Sequence, residues 1–252
     1  MKIEVIIWDV DGTLWRNDKL SEIIKKSYIN YLSKVLKKSS KEVEPLFLKK
    51  NNEGYCWSQI LEILGKINQK KAILEVEKNI NKSHYIVKDN KLLTTFNLLK
   101  NYRHIILTNS TYESTISVIK ALKLSYKNKF IKSNNILYLK KFDYYPFEKI
   151  FSLNKDSEIK PKISAFLRVL KYTNLPPNKH LMIGDSIEID LIPAKKLGMK
   201  TCLVYSDKAS NCNWIDFHLP DVYSVPSIFS KKIIIFNFFK NLEKKFINLI
   251  KK

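Results

Sequence analysis

Short apolar runs rich in β-branched residues recur along this chain, and several stop abruptly at small polar or acidic residues. Lys2 to Trp8 carries Ile3, Val5, Ile6, Ile7 and Trp8 and runs straight into Asp9. Arg103 to Leu107 ends at Thr108, and Leu181 to Ile183 ends at Gly184. Phe147 to Leu153 and Thr201 to Tyr205 are two more such runs. Nearly continuous apolar strands of this kind are buried on both faces. Helical patterns separate them, at Leu92 to Lys100, Tyr112 to Leu122, Ile163 to Tyr172 and Ile192 to Leu197. Strands alternating with helices predict an α/β fold, a parallel sheet covered by helices on both faces. In such sheets ligands bind beyond the carboxyl ends of the strands.

One stretch breaks the alternation. From Asp18 to about Asn81 only helical spacing is visible, as in Ile24, Tyr28, Tyr31 and Leu32, then Ile60, Leu61 and Leu64, then Ile73, Val76 and Ile80. An all-helical insert after the first strand predicts a separate small domain at 16–84, with the core at 1–15 and 85–230. Ser125 to Tyr145, polar and aromatic, reads as an extended hairpin. From Ser230 on, Ile235, Phe238, Phe239, Leu242, Phe246, Leu249 and Ile250 form a helical stripe with Lys240, Lys244, Lys245 and Lys251 largely outside it. Residues 231–252 are therefore expected to form a basic amphipathic helix, for docking on the core, a membrane surface or a protein partner.

The strand ends carry the chemistry. Asp9-Val10-Asp11-Gly12-Thr13 places two carboxylates two residues apart, with Gly12 permitting a sharp turn. Crowded carboxylates repel unless one is protonated or a cation intervenes, and Mg²⁺ with oxygen ligands suits the site. The plainer alternative is an Asp-Gly turn closing a strand. Thr108-Asn109-Ser110 offers hydroxyls and backbone N–H groups at a helix start, suited to phosphate, although Thr108 or Ser110 could equally be an N-cap. Gly184-Asp185-Ser186 places Asp185 beyond a strand as a further metal oxygen, with Asp190 as a supporting acid for Lys160 or the metal water. Against this stands N-capping by Asp185 or Ser186. Lys160, before Pro161, is a candidate only through its place in the order, because lysine is abundant here.

That order is strand-DVDGT, strand-TNS, Lys-Pro, strand-GDSxxxD. It resembles the haloacid dehalogenase-like superfamily, over roughly 1–15 and 85–225. The resemblance implies a Rossmann-like, doubly wound core and a helical cap of the C1 type. It implies a Mg²⁺-dependent phosphoric monoester hydrolase in which Asp9 is the nucleophile that forms an aspartyl-phosphate and Asp11 is the general acid and base. Thr108, Asn109 and Lys160 would bind the phosphoryl group. Asp9, the Asp11 carbonyl and Asp185 would bind the metal. The resemblance sets aside two branches of the superfamily. Transport ATPases carry Thr where Asp11 stands, and the dehalogenases lack the second aspartate.

Composition narrows the partners. The formal charge of +21 attracts phosphorylated ligands, but the lysines are spread along the chain, which favours a solvated basic surface over a nucleic-acid site. A small phosphorylated metabolite, with nucleotides and sugar phosphates as candidate classes, is the expected substrate. The alternatives are a nucleic-acid-associated protein or polynucleotide-end phosphatase, and a non-catalytic scaffold with the same fold. Trp15, Asn17, Tyr55 and Trp57 are candidates to line the pocket, or simply to pack between helices. Three scattered cysteines, Cys56, Cys202 and Cys212, argue against a disulfide framework or zinc site. No early apolar run is long enough for a secretory signal and no stretch reaches the ~18 residues of a membrane span, so a cytoplasmic protein is expected.

Overall fold

A computed structural model describes residues 2–124, 146–153, 158–206 and 212–230, and the backbone of 128–133 and 136–141. The main sheet has six strands: β1 (Val5–Trp8), β2 (Arg103–Thr111), β5 (Phe147–Leu153), β6 (His180–Gly184), β7 (Lys200–Val204) and β8 (Phe217–Leu219). They lie in the order β5-β2-β1-β6-β7-β8, and every pairing is parallel. β1 is central, with Val5 beside both Arg103 and His180. A separate antiparallel pair, β3 (Asn128–Ser133) and β4 (Ile136–Lys141), forms the hairpin expected within 125–145.

Period-two alternation divides each central strand between two apolar layers. Ile6 and Trp8 join Ile106, Leu181 and Ile183 on one face, beneath Leu92 and Phe96 of α5 (Asn90–Leu98) and Ile116 and Ile119 of α6 (Tyr112–Ala121). Val5, Ile7, Ile105 and Met182 meet the other layer, with Phe166 and Val169 of α7 (Ile163–Thr173) and Ala194 of α8 (Ile192–Lys196). Helices on both faces make the expected doubly wound fold.

Four helices occupy the stretch between β1 and α5: α1 (Asp18–Leu36), α2 (Ser40–Asn52), α3 (Trp57–Gly65) and α4 (Gln69–Glu77). Asn17 starts α1 by accepting a 2.9 Å bond from the Leu20 N–H, and Asn68 starts α4 by accepting from Lys70 and Lys71. Leu20, Ile24, Tyr28 and Leu32 line the buried face of α1, and Val43, Phe47, Ile60 and Leu61 close against it. A short 3₁₀ turn, Lys82–Tyr85, leads back to the sheet.

The end of β2 differs from the sequence reading. β2 continues past Leu107 to Thr111, and the N-cap of α6 is Thr111, which accepts from the Ser114 N–H at 3.2 Å. Neither Thr108 nor Ser110 caps that helix. The edge strand β8 has only three residues and escaped the reading. Residues 231–252, where an amphipathic helix is expected, lie outside the described residues. All three cysteines are free thiols. Among the described residues no helix is long and apolar enough to cross a membrane.

Candidate active site

The carboxyl ends of β1, β2 and β6 open into a cavity of about 390 Å³ roofed by the helical insert. Asp9 leaves β1 directly into its floor. Its Oδ1 accepts from Lys160 Nζ at 2.6 Å and its Oδ2 from Thr13 Oγ1 at 2.9 Å. Gly12 turns the chain with φ of +86°, a conformation few residues other than glycine adopt. That turn brings Asp11 beside the cavity.

Lys160 is 2% exposed and reaches the floor between two acids. Its Nζ donates to Asp190 Oδ1 at 2.6 Å as well as to Asp9. Its main chain is clamped by one side chain: Asn109 Nδ2 donates to the Lys160 carbonyl at 2.9 Å, and the Lys160 N–H donates to Asn109 Oδ1 at 2.8 Å. The following Lys160–Pro161 peptide is cis. Asp190 comes from a π-helical turn, Ile187–Leu191, which Ser186 caps by accepting from the Ile189 N–H. Ser186 therefore takes the capping role, and Asp185 projects into the cavity.

Oxygens of Asp9, Asp185 and Asp190 lie within 4.8 Å of one another. Fully ionised, these three acids and Lys160 leave two negative charges uncompensated, the charge that one divalent cation supplies. The crowding shows in proton affinity. Burial would lower the Lys160 ammonium, but Asp190 and Asp9 outweigh it and hold the group above its usual range. Burial, and then the Asp9 charge, push Asp190 up to about 6 against the pull of Lys160. Asp185 opens onto the cavity, yet the surrounding protein desolvates it and Asp9 and Asp190 stand beside it, so its carboxyl lies well above the ordinary range. A hard cation with oxygen ligands fits such a donor set.

A second cluster surrounds Asp11. Its Oδ1 accepts from Trp15 Nε1 at 2.9 Å. Its Oδ2 accepts from Lys82 Nζ at 2.8 Å and contacts Ser110 Oγ. Lys82 Nζ also donates to Glu77 Oε1 and to Ser110 Oγ, both at 2.8 Å. Burial alone would raise the Asp11 carboxyl, but Lys82, Ser110 and Trp15 overcome it and hold the group below its usual range.

A family model described as haloacid dehalogenase-like hydrolase matches residues 3–198. The chain belongs to that family. A haloacid dehalogenase-like phosphatase structure from Thermococcus onnurineus is similar at 17% identity and a TM-score of 0.58, covering 90% of this chain and 98% of the other. A haloacid dehalogenase-like family hydrolase from Streptococcus pneumoniae is similar at 17% identity and a TM-score of 0.59, covering 90% and 99%. The L-2-haloacid dehalogenase of Xanthobacter autotrophicus is similar at 13% identity and a TM-score of 0.51, covering 90% and 98%. At these identities the likeness is one of fold. A search among curated proteins finds no match.

The family fold thus brings together all seven residues singled out in the sequence: Asp9, Asp11, Thr108, Asn109, Lys160, Asp185 and Asp190 all line the cavity. Thr108 Oγ1 accepts from the Ser110 N–H at 3.1 Å, and the Asn109 amide is engaged by Lys160. Of the four pocket candidates, Trp15 and Trp57 line the cavity. Asn17 instead caps α1 and donates to the Tyr85 carbonyl, while Tyr55 lies beneath the Lys50 ammonium. The sequence reading missed Glu77 and Lys82. Nothing in residue type marks one lysine in a chain with 45 basic residues, and both lie near the end of the helical insert, remote from the motifs in sequence.

Proposed function

We propose that this family member is a Mg²⁺-dependent phosphohydrolase acting on a small phosphomonoester, with helices 16–84 serving as a C1-type cap. The observation that carries the reading is the carboxylate cluster of Asp9, Asp185 and Asp190, with Asp11 held separately beside it. A dehalogenation site would need neither the divalent cation that this cluster suits nor a second carboxylate following the nucleophile.

Asp9 and Asp185, with the Asp11 carbonyl, would hold Mg²⁺, which when bound neutralises charge on phosphoryl oxygens. An Asp9 oxygen forms a bond to phosphorus. The bond from phosphorus to the leaving oxygen breaks with its electron pair on that oxygen, and Asp11, ionised in the free site and protonated once the phosphoester is bound, supplies the proton. In the second half, Asp11 takes a proton from water, the water oxygen bonds to phosphorus, and the Asp9 carboxylate is released with inorganic phosphate. Lys160 keeps one N–H bond beyond those to Asp9 and Asp190, available to a phosphoryl oxygen. Thr108 and the main chain at Asn109 complete the phosphoryl cradle. Asp190 keeps Lys160 charged and aimed.

A screen of nucleotides, sugar phosphates and an aryl phosphate, with Mg²⁺ and with chelator, tests the reading. Metal-dependent release of phosphate is expected. Purified protein that cleaves none of these esters in Mg²⁺ would sink it.

A further inference from the structure

We propose that Lys82, supported by Glu77, is a positioning residue that fixes the Asp11 carboxylate for proton transfer to the leaving group. The inference rests on the phosphohydrolase reading and deepens it, because it concerns residues outside the four motifs.

The geometry carries the case. Lys82 Nζ has three hydrogens and three acceptors at 2.8 Å: Asp11 Oδ2, Glu77 Oε1 and Ser110 Oγ. Its side chain is 2% exposed, although it stands against a cavity wall. Glu77, the last residue of α4, is anchored in turn: its Oε2 accepts from the Thr111 N–H at 3.0 Å. The Ser110 hydroxyl can donate to Asp11 or to Glu77 Oε1, and it approaches both. The helical insert, the 3₁₀ turn and the end of β2 thus converge on one carboxylate.

Asp11 has few other restraints. Trp15 Nε1 holds Oδ1, while Lys82 and Ser110 hold Oδ2, so together they fix the plane of the carboxylate. Lys82 also separates two acids. Without its charge, Asp11 and Glu77 would face each other across the Ser110 hydroxyl and either repel or share a proton, and in both cases Asp11 Oδ2 would lose the ammonium that aims it. Asp11 would then turn away from the leaving oxygen, while the Asp9 floor, held by Lys160 and Thr13, would be untouched.

Leaving-group dependence separates positioning from general damage. An aryl phosphate with a nitrophenol leaving group departs without needing a proton, whereas an alkyl phosphate needs one. The measurement is kcat/KM, which reports the first phosphoryl transfer, for para-nitrophenyl phosphate and for the faster of glycerol phosphate and ribose phosphate. Lys82→Met is expected to lose on the order of 100-fold on the alkyl ester and only a few-fold on the aryl ester. Glu77→Gln should show a smaller loss with the same bias, and serves if Lys82→Met fails to fold. The double variant, which removes both charges facing Asp11, should recover part of the alkyl loss of Lys82→Met. Equal losses on the two esters, or no loss, would overturn the inference while leaving the phosphohydrolase intact. Wild-type protein active on the aryl ester alone would also overturn it. Wild-type protein inactive on all of them would end both readings.

Discussion

A Cβ atom placed on Gly184 would lie 2.3 Å from Asp190 Oδ2. The last residue of β6 must therefore lack a side chain so that Asp190 can pass beneath it to Lys160. Gly184→Ala should displace Asp190, cut activity at least tenfold, and destabilise by about 1–3 kcal/mol through overpacking. Urea unfolding and phosphatase assays on the same sample check this, and unchanged values of both would refute the close fit.

Asp9→Asn should lower turnover by a factor on the order of 10³ or more, because an amide is a poor nucleophile toward phosphorus. Acid-quenched wild-type protein should carry a phosphoryl group on the peptide containing Asp9. Full activity in the variant, with deamidation excluded by mass spectrometry, would remove Asp9 from the role.

The acid cluster should bind Mg²⁺ without any substrate. At a free concentration about 100 times Kd, the cation should stabilise the fold by about 2.7 kcal/mol. Asp185→Asn should lose most of that gain. A thermal shift in Mg²⁺ that is identical in the two proteins would place the cation elsewhere.

How far these expectations could be read from residue order alone depended on what each residue announces. Asp9, Asp11 and Asp185 follow apolar strands, so the rule for parallel sheets places them together from residue order alone. Lys160 was legible only by rank in the motif order. Lys82 and Glu77 were not legible at all, because the contact between them and Asp11 forms when a helical insert folds back onto the sheet. The end of β2 was misjudged for a related reason. Asn109 to Thr111 look polar enough for a loop, but Ser110 is buried and the strand runs on beneath the insert.

Stability should respond to acid through His104, away from the cavity. Its Nδ1 accepts from Trp8 Nε1 at 3.1 Å and its Nε2 faces the Leu99 carbonyl at 3.0 Å, a pattern that requires the neutral ring. Burial lowers the group from 6.5 to about 4. Between those values the unfolded chain binds a proton that the folded chain does not. The contribution is therefore complete above pH 6.5, declines as pH falls toward 4 and is flat below, a loss of about 3 kcal/mol. Urea unfolding from about pH 7 down to about pH 4 should show this slope in the wild type and a shallower one in His104→Gln. Parallel profiles would rule out the histidine as the cause.

The central place of β1 has a consequence for biosynthesis. Val5 to Trp8 find their hydrogen-bonding neighbours only at Arg103–Ile106 and His180–Ile183. While the polypeptide is being made, this sticky apolar tetrapeptide must wait with one edge bare until β6 has emerged. Asp9, directly after this strand, thus finds its surroundings only once β6 has been made, so products truncated before β6 should aggregate.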